Sequence, residues 1–172
     1  MKFRVCLQSL IITAVYCSSI CRSDESASIA KELCLVQDPL ILESSGLATC
    51  RTMENAVWMH NDSGDVPRLF LVGLDGNTIG IVNVNGVKAF DWEDVCSFEM
   101  NGESWLLVGD IGDNGRKRGV TSPACRLLLL KEPKLRASES ETKATEVSID
   151  VIRTIEFQFP DGPHDCESLA VD

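Results

Sequence analysis

The stretch RLFLVGLDGNTIGIVNVNG, residues 68–86, holds two short apolar runs split by Asp75-Gly76-Asn77 and closed by Asn85-Gly86. Asp-Gly and Asn-Gly supply the positive φ angles that tight hairpins need, and apolar runs of this length on either side read as strands. The same grammar extends outward. Ala56 to Met59, Trp105 to Val108 and Arg126 to Leu130 are further short apolar runs between turn residues. Val147 to Phe159 reads as one or two strands, ended by Pro160-Asp161-Gly162-Pro163. Pro133 to Thr145 is charged and Ser-rich, and is expected to be a solvated excursion between strands. Only Ser28 to Leu35 has any helical character. The expected class is all-β.

The strands repeat in order. Glu43-Ser44-Ser45-Gly46-Leu47-Ala48 precedes a Trp58 strand, then the turn Asn61-Asp62-Ser63-Gly64-Asp65, then Arg68-Leu69-Phe70-Leu71. Trp92-Glu93-Asp94-Val95-Cys96 precedes a Trp105 strand, then Gly109-Asp110-Ile111-Gly112-Asp113-Asn114, then Arg126-Leu127-Leu128-Leu129. A third unit opens at Asp165-Cys166-Glu167, and Ser168 to Asp172 reads as its first strand. β units of this size repeated in order suggest propeller blades, so the expectation is a partial β-propeller of about three blades. A closed propeller takes at least about four blades, so the chain is expected to be the N-terminal part of a longer protein or to close with another copy. A β-sandwich is the competing architecture.

The N-terminus reads as a secretory signal over residues 1–23. Lys2 and Arg4 precede an apolar run from Val5 to Tyr16, and small residues Ser18, Ser19 and Cys21 follow. The implied location is periplasmic or extracellular, and acylation of Cys21 would make a lipoprotein, although Ile20 before it fits that signal poorly. Residues 24–41 are a lead-in and 42–172 the propeller segment. No later stretch is long and apolar enough for a membrane helix.

Net charge is −10, and loss of Lys2, Arg4 and Arg22 with the leader makes the remainder more acidic still. Such a surface repels nucleic acid and anionic lipid and favours cations. With 44% hydrophobic residues the chain can still bury a core. Eight cysteines suggest a disulfide framework until they are located. Cys6, Cys17 and Cys21 fall in the leader. Cys34, Cys50, Cys96, Cys125 and Cys166 remain, an odd number with no CxxC. One or two disulfides would suit an oxidising compartment, but small buried side chains are the expected role of Cys50, Cys96 and Cys166.

Blades present corresponding loops at one mouth of a central channel, so a repeated acid at one blade position converges in space. Glu43, Glu93 and Glu167 are the repeated acids, with Asp62, Asp110 and Asp113 from the second turn and Asn61, Asn114 and Asp91 to complete a shell. Carboxylates held together raise one another's pKa unless a cation neutralises them, and Ca²⁺ takes such an oxygen-rich site. Asp and Asn are also ordinary turn formers. Asp110 to Gly115 is no EF-hand, because Gly112 occupies a ligand position and Thr121 stands where the bidentate Glu belongs. His60 and His164 are the only histidines, and either could serve as a general base or a metal ligand. No GxSxG nucleophile motif occurs. Asn61-Asp62-Ser63 is formally a glycosylation sequon. Arg116-Lys117-Arg118, the one basic cluster, is expected to be a solvated loop tip, with anion binding as the alternative.

Taken together, Glu43 to Ala48, His60 to Gly64, Asp91 to Asp94, Gly109 to Asn114 and Pro160 to Glu167 resemble a family of exported bacterial propeller proteins. These are distantly similar to the gluconolactonase-like (regucalcin-like) and β-propeller phytase groups. The resemblance covers Leu42 to Asp172. It implies a six-bladed or similar propeller with a divalent cation held by carboxylates at the channel mouth, lined here by Glu43, Asp62, Glu93, Asp110 and Glu167. Cys50, Cys96 and Cys166 stand where that family usually carries Ser or Ala. Members differ in activity, so three functions stay open. One is a metal-dependent hydrolase of small esters, lactones or phosphates. Another is a non-catalytic propeller taking a small molecule or protein at its mouth. The last is a truncated product without independent function.

Overall fold

In the computed structural model, residues 31–136 and 144–172 are described. The leader, the first three residues of the expected helical stretch and the middle of the 133–145 excursion lie outside them. Among the described residues the fold is all-β, with no helix; Lys31 to Leu35 carries no helical turn. Nine strands run in chain order: β1 Ser44–Thr49, β2 Ala56–Asn61, β3 Arg68–Gly73, β4 Thr78–Asn85, β5 Trp92–Met100, β6 Glu103–Asp110, β7 Cys125–Lys131, β8 Thr145–Asp150 and β9 Arg153–Phe157. They form two open sheets, a five-stranded one ordered β1-β2-β3-β4-β8 and a four-stranded one ordered β5-β6-β7-β9.

The two tight turns show why the hairpins form where they do. Gly76 sits at φ 86° between β3 and β4, as Asp75-Gly76 predicts. Asn101 and Gly102, at φ 54° and 74°, join β5 to β6 with Met100 directly opposite Glu103. Two successive positive φ values define the primed turn that matches strand twist. Asn85-Gly86 acts differently. Gly86 also has a positive φ, but the chain leaves the first sheet there and enters the second.

The sheets pack through one apolar cluster. Trp58, Leu69, Leu71 and Val82 of the first sheet meet Val95, Leu106, Val108, Leu128 and Leu130 of the second, all at most 1% exposed. Alternate residues of each strand point into this layer, as a period of two requires. The opposite face of the first sheet carries Met59, Phe70 and Val72, packed against Ile41 of the lead-in.

The stretch Val147 to Phe159 holds parts of two strands, within the expected one or two, and they join different sheets: β8 runs parallel to β4, whereas β9 pairs antiparallel with β7. Other expectations are corrected. Ser168 to Asp172 is not a strand; it lies along β5, fastened where the Leu169 amide donates to Asp94 Oδ2 at 2.9 Å. Two sheets are thus formed among the described residues, and the expected third unit contributes no strand. The 133–145 excursion is not wholly solvated, because Leu135 is buried in the main cluster. The two tryptophans recur in order but not in register. Trp58 stands three residues before the end of β2 and is fully buried; Trp105 stands five before the end of β6, is half-buried and donates to Met100 O. The five described cysteines are all free thiols, with only Cys125 buried and Cys50, Cys96 and Cys166 half-buried.

Candidate carboxylate site

β1 and β5, an edge strand of each sheet, lie side by side. Ser45 Oγ donates to the backbone oxygen of Glu93 at 2.8 Å and to its carboxylate at 3.2 Å, and Thr49 and Ser97 hydroxyls meet at 3.3 Å. Both strands are irregular here: register slips between Ser44 and Leu47, and between Trp92 and Asp94. Each irregularity turns the acid-bearing end of its strand out of the ladder.

Carboxylate oxygens of Asp62, Asp91 and Glu93 come within 4.8 Å of one another. A second group at the same mutual distance joins Glu93 to Asp165 and Glu167. Glu93 belongs to both and is the buried member, at 4% exposure. Burial, and then the charges of Asp62, Glu167 and Asp91, push its carboxyl up to about 7. Burial also raises Asp91, with Asp62 adding to the effect and Arg118 opposing it. Gly112 leaves the room these side chains occupy. A Cβ there would lie 2.1 Å from Glu93 Oε1 and 2.7 Å from Asp91 Oδ2.

The remaining candidates are placed elsewhere. Asp110, fully buried, is clamped by two guanidinium groups, Arg118 at 2.5 Å and Arg126 on its other oxygen, and it accepts the Asp91 amide at 3.1 Å. Asp113 accepts the backbone amides of Lys117 and Arg118, closing the loop after β6. Neither belongs to a carboxylate group of the kind just described. Both support it, Asp110 by holding Asp91 and Asp113 by donating its own amide to Asp165. Glu43 stays exposed outside both groups, and its backbone oxygen accepts the Asp62 amide.

Arg118 corrects the reading of the basic cluster. Arg116 and Lys117 are exposed, but Arg118 is 6% exposed and spends its donors on Asp110, Gly112 O and Ala124 O. Asn61 mirrors Asp110 at the end of β2. Its Oδ1 accepts the amides of Leu42 and Glu43, and its amide group donates to Leu40 O and Asp65. That engagement and 7% exposure leave the sequon asparagine inaccessible to a glycosyl group in the folded chain.

His60 is fully buried, edge-on to Trp92, with Nδ1 2.8 Å from Asn61 O and Nε2 without a hydrogen-bond partner among the described residues. Desolvation lowers its pKa. His164 sits at the surface against Asp161 at 2.9 Å and the Phe159 ring. Asp165 and Gly112 are contributors that residue-type reasoning did not assign. Asp165 was visible as an acid beside Glu167; nothing local marks Gly112, since its role is only to be small.

No protein-family model, curated protein or solved structure significantly matches this chain.

Proposed function

We propose that the chain is part of an exported β-propeller that binds Ca²⁺ at the carboxylate-lined end of its inner strands. The observation that carries this reading is the meeting of Asp62, Asp91 and Glu93 within 4.8 Å, with Glu93 buried. Three carboxylates this close repel one another, and a hard cation with oxygen ligands relieves that repulsion. The donor set is oxygen throughout, which favours Ca²⁺ over softer metals. Asp165 and Glu167 extend the group through Glu93.

The propeller part is supported by the antiparallel meander β1–β4 packed on the antiparallel sheet β5-β6-β7-β9, with β1, β5 and the segment carrying Glu167 lying next to one another in turn. Bound Ca²⁺ would supply positive charge able to hold an anionic or carbonyl oxygen of a small ligand. Neither histidine lies in the carboxylate groups, so binding, rather than hydrolysis driven by a histidine base, is the reading we favour.

Calorimetric titration of the chain with Ca²⁺ tests it. We expect saturable binding that Glu93→Gln weakens by at least about tenfold, the cost of one charge-assisted ligand. Glu54→Gln, an exposed acid away from the site, should change nothing. Absence of binding at millimolar Ca²⁺ ends the proposal.

A further inference from the structure

Beside the carboxylate groups, a cleft of about 220 Å³ opens between the link from β4 to β5 and the loop after β6. Its wall includes Phe90, Asp91, Gly112, Asn114, Lys117 and Ser122. Asp91 is at the same time a member of the group completed by Asp62 and Glu93. Gly112 lets Glu93 approach from behind the wall, since a Cβ there would lie 2.1 Å from Glu93 Oε1. These two wall residues make the cleft a direct neighbour of the proposed cation.

Phe90 is 42% exposed, so its ring keeps free surface. Arg126 and Arg118 brace that ring, their guanidinium carbons 5.1 and 5.9 Å from its centroid. Two of the charged wall residues are already engaged. Asp113 spends both oxygens on the Lys117 and Arg118 amides, and Arg118 turns its guanidinium to Asp110. Lys117 is different. It is exposed, its stem lies over Gly115, and no acid among the described residues forms an ion pair with it. The charges left to meet a ligand are Asp91 and Lys117. A divalent cation on Asp91 reverses the sign on that side, and the cleft then presents positive charge on both sides of an aromatic surface. Such a site selects an anion with a flat apolar body.

Resting on the Ca²⁺ reading, we propose that this cleft takes a small aromatic carboxylate, its anionic end between the cation and Lys117 and its ring against Phe90. Without the cation, Asp62, Asp91 and Glu93 repel the same anion. Ca²⁺ and the carboxylate therefore bind together, each raising the affinity of the other by the same factor. The volume is below the about 300–1,000 Å³ of drug-sized ligands and suits a single ring.

Calorimetric titration of the full chain with benzoate, in saturating Ca²⁺ and again in chelator, tests the assignment after Ca²⁺ has been titrated alone. Acetate supplies the anion without the ring, and benzyl alcohol the ring without the anion. In Ca²⁺, benzoate should bind saturably at one site and the other two at least about tenfold more weakly. In chelator its heat should vanish. Lys117→Gln and Phe90→Leu should each weaken benzoate by at least about threefold. If Ca²⁺ binds and benzoate at millimolar concentration does not, this assignment fails and the cation reading stands. If Ca²⁺ does not bind, both fail. Acetate or benzyl alcohol binding as tightly as benzoate, benzoate binding that survives chelation, or parental affinity in both variants also overturns it.

Discussion

Trp58 Nε1 donates to Glu132 Oε1 at 2.8 Å, joining a residue of the first sheet to one just past the end of β7 in the second. The same oxygen takes the Arg51 amide, and Thr52 Oγ1 donates to Pro133 O nearby. Glu132 is thus a clamp between the sheets. Replacing it with Ala leaves a fully buried indole N–H and a backbone amide without acceptors. We expect Glu132→Ala to cost about 2–4 kcal/mol in urea unfolding, and Glu132→Gln clearly less.

Glu93 and His60 set opposing pH trends. The Glu93 carboxyl rises from 4.5 to about 7 on folding, so the folded state holds its proton more tightly. Its contribution is therefore fully present below about pH 4.5 and is lost as pH rises to about 7, by up to about 3 kcal/mol. His60 is lowered by burial, so its effect is the reverse: stability falls as pH drops below about 6.5, where the unfolded histidine takes up a proton. Stability curves across pH 4–8 for the parent and for Glu93→Gln separate the two. The variant should lose the decline toward neutrality and keep the His60 limb.

Asp110 meets two arginines and one backbone amide while fully buried. Removing a buried anion strands both guanidinium groups. Asp110→Ala should cost about 3–5 kcal/mol, measured by thermal or chemical denaturation. A cost near zero would mean that the guanidinium groups reach water without it.

Gly112 offers a gentler test of the carboxylate site. Ala at this position needs no left-handed backbone but collides with the ends of Glu93 and Asp91. Those side chains can swing away, so the fold should survive, and melting should shift little. Ca²⁺ affinity should fall by at least about tenfold, because the carboxylates no longer converge. Unchanged affinity would place the cation elsewhere.

The turn Asn101-Gly102 carries the register of β5 against β6. Gly102 has φ 74° with open space around its Cα, so an added methyl meets strain and no clash. Gly102→Ala should cost about 1–2 kcal/mol, read from denaturant midpoints.

Strand positions were readable because the cues are local. Asp75-Gly76 and the apolar runs beside it fix a hairpin whatever the rest of the chain does. Partner choice was not readable. β8 and β9 are separated by two residues yet join different sheets, and that depends on contacts made by residues far upstream. Asp62, Glu93 and Glu167, which the repeat singled out, and Asp91, read as a shell residue, fall in the two carboxylate groups. The repeat could not separate them from Asp110 and Asp113. Those acids look identical in sequence, but Arg118, Arg126 and the backbone amides after β6 take up their charge. Glu132, between the β7 run and the charged stretch 133–145, gave no sign of its burial.

β8 has a consequence for how the molecule is assembled and taken apart. The first sheet gains its last strand only from chain that has already traversed three strands of the second, and the second gains its own last strand just afterwards. Neither sheet can be finished as an autonomous hairpin stack during synthesis, and neither can be peeled away while the other stays whole. The pair should melt as a single cooperative event, and a protease that nicks the link between β4 and β5 should leave two fragments that remain laced together.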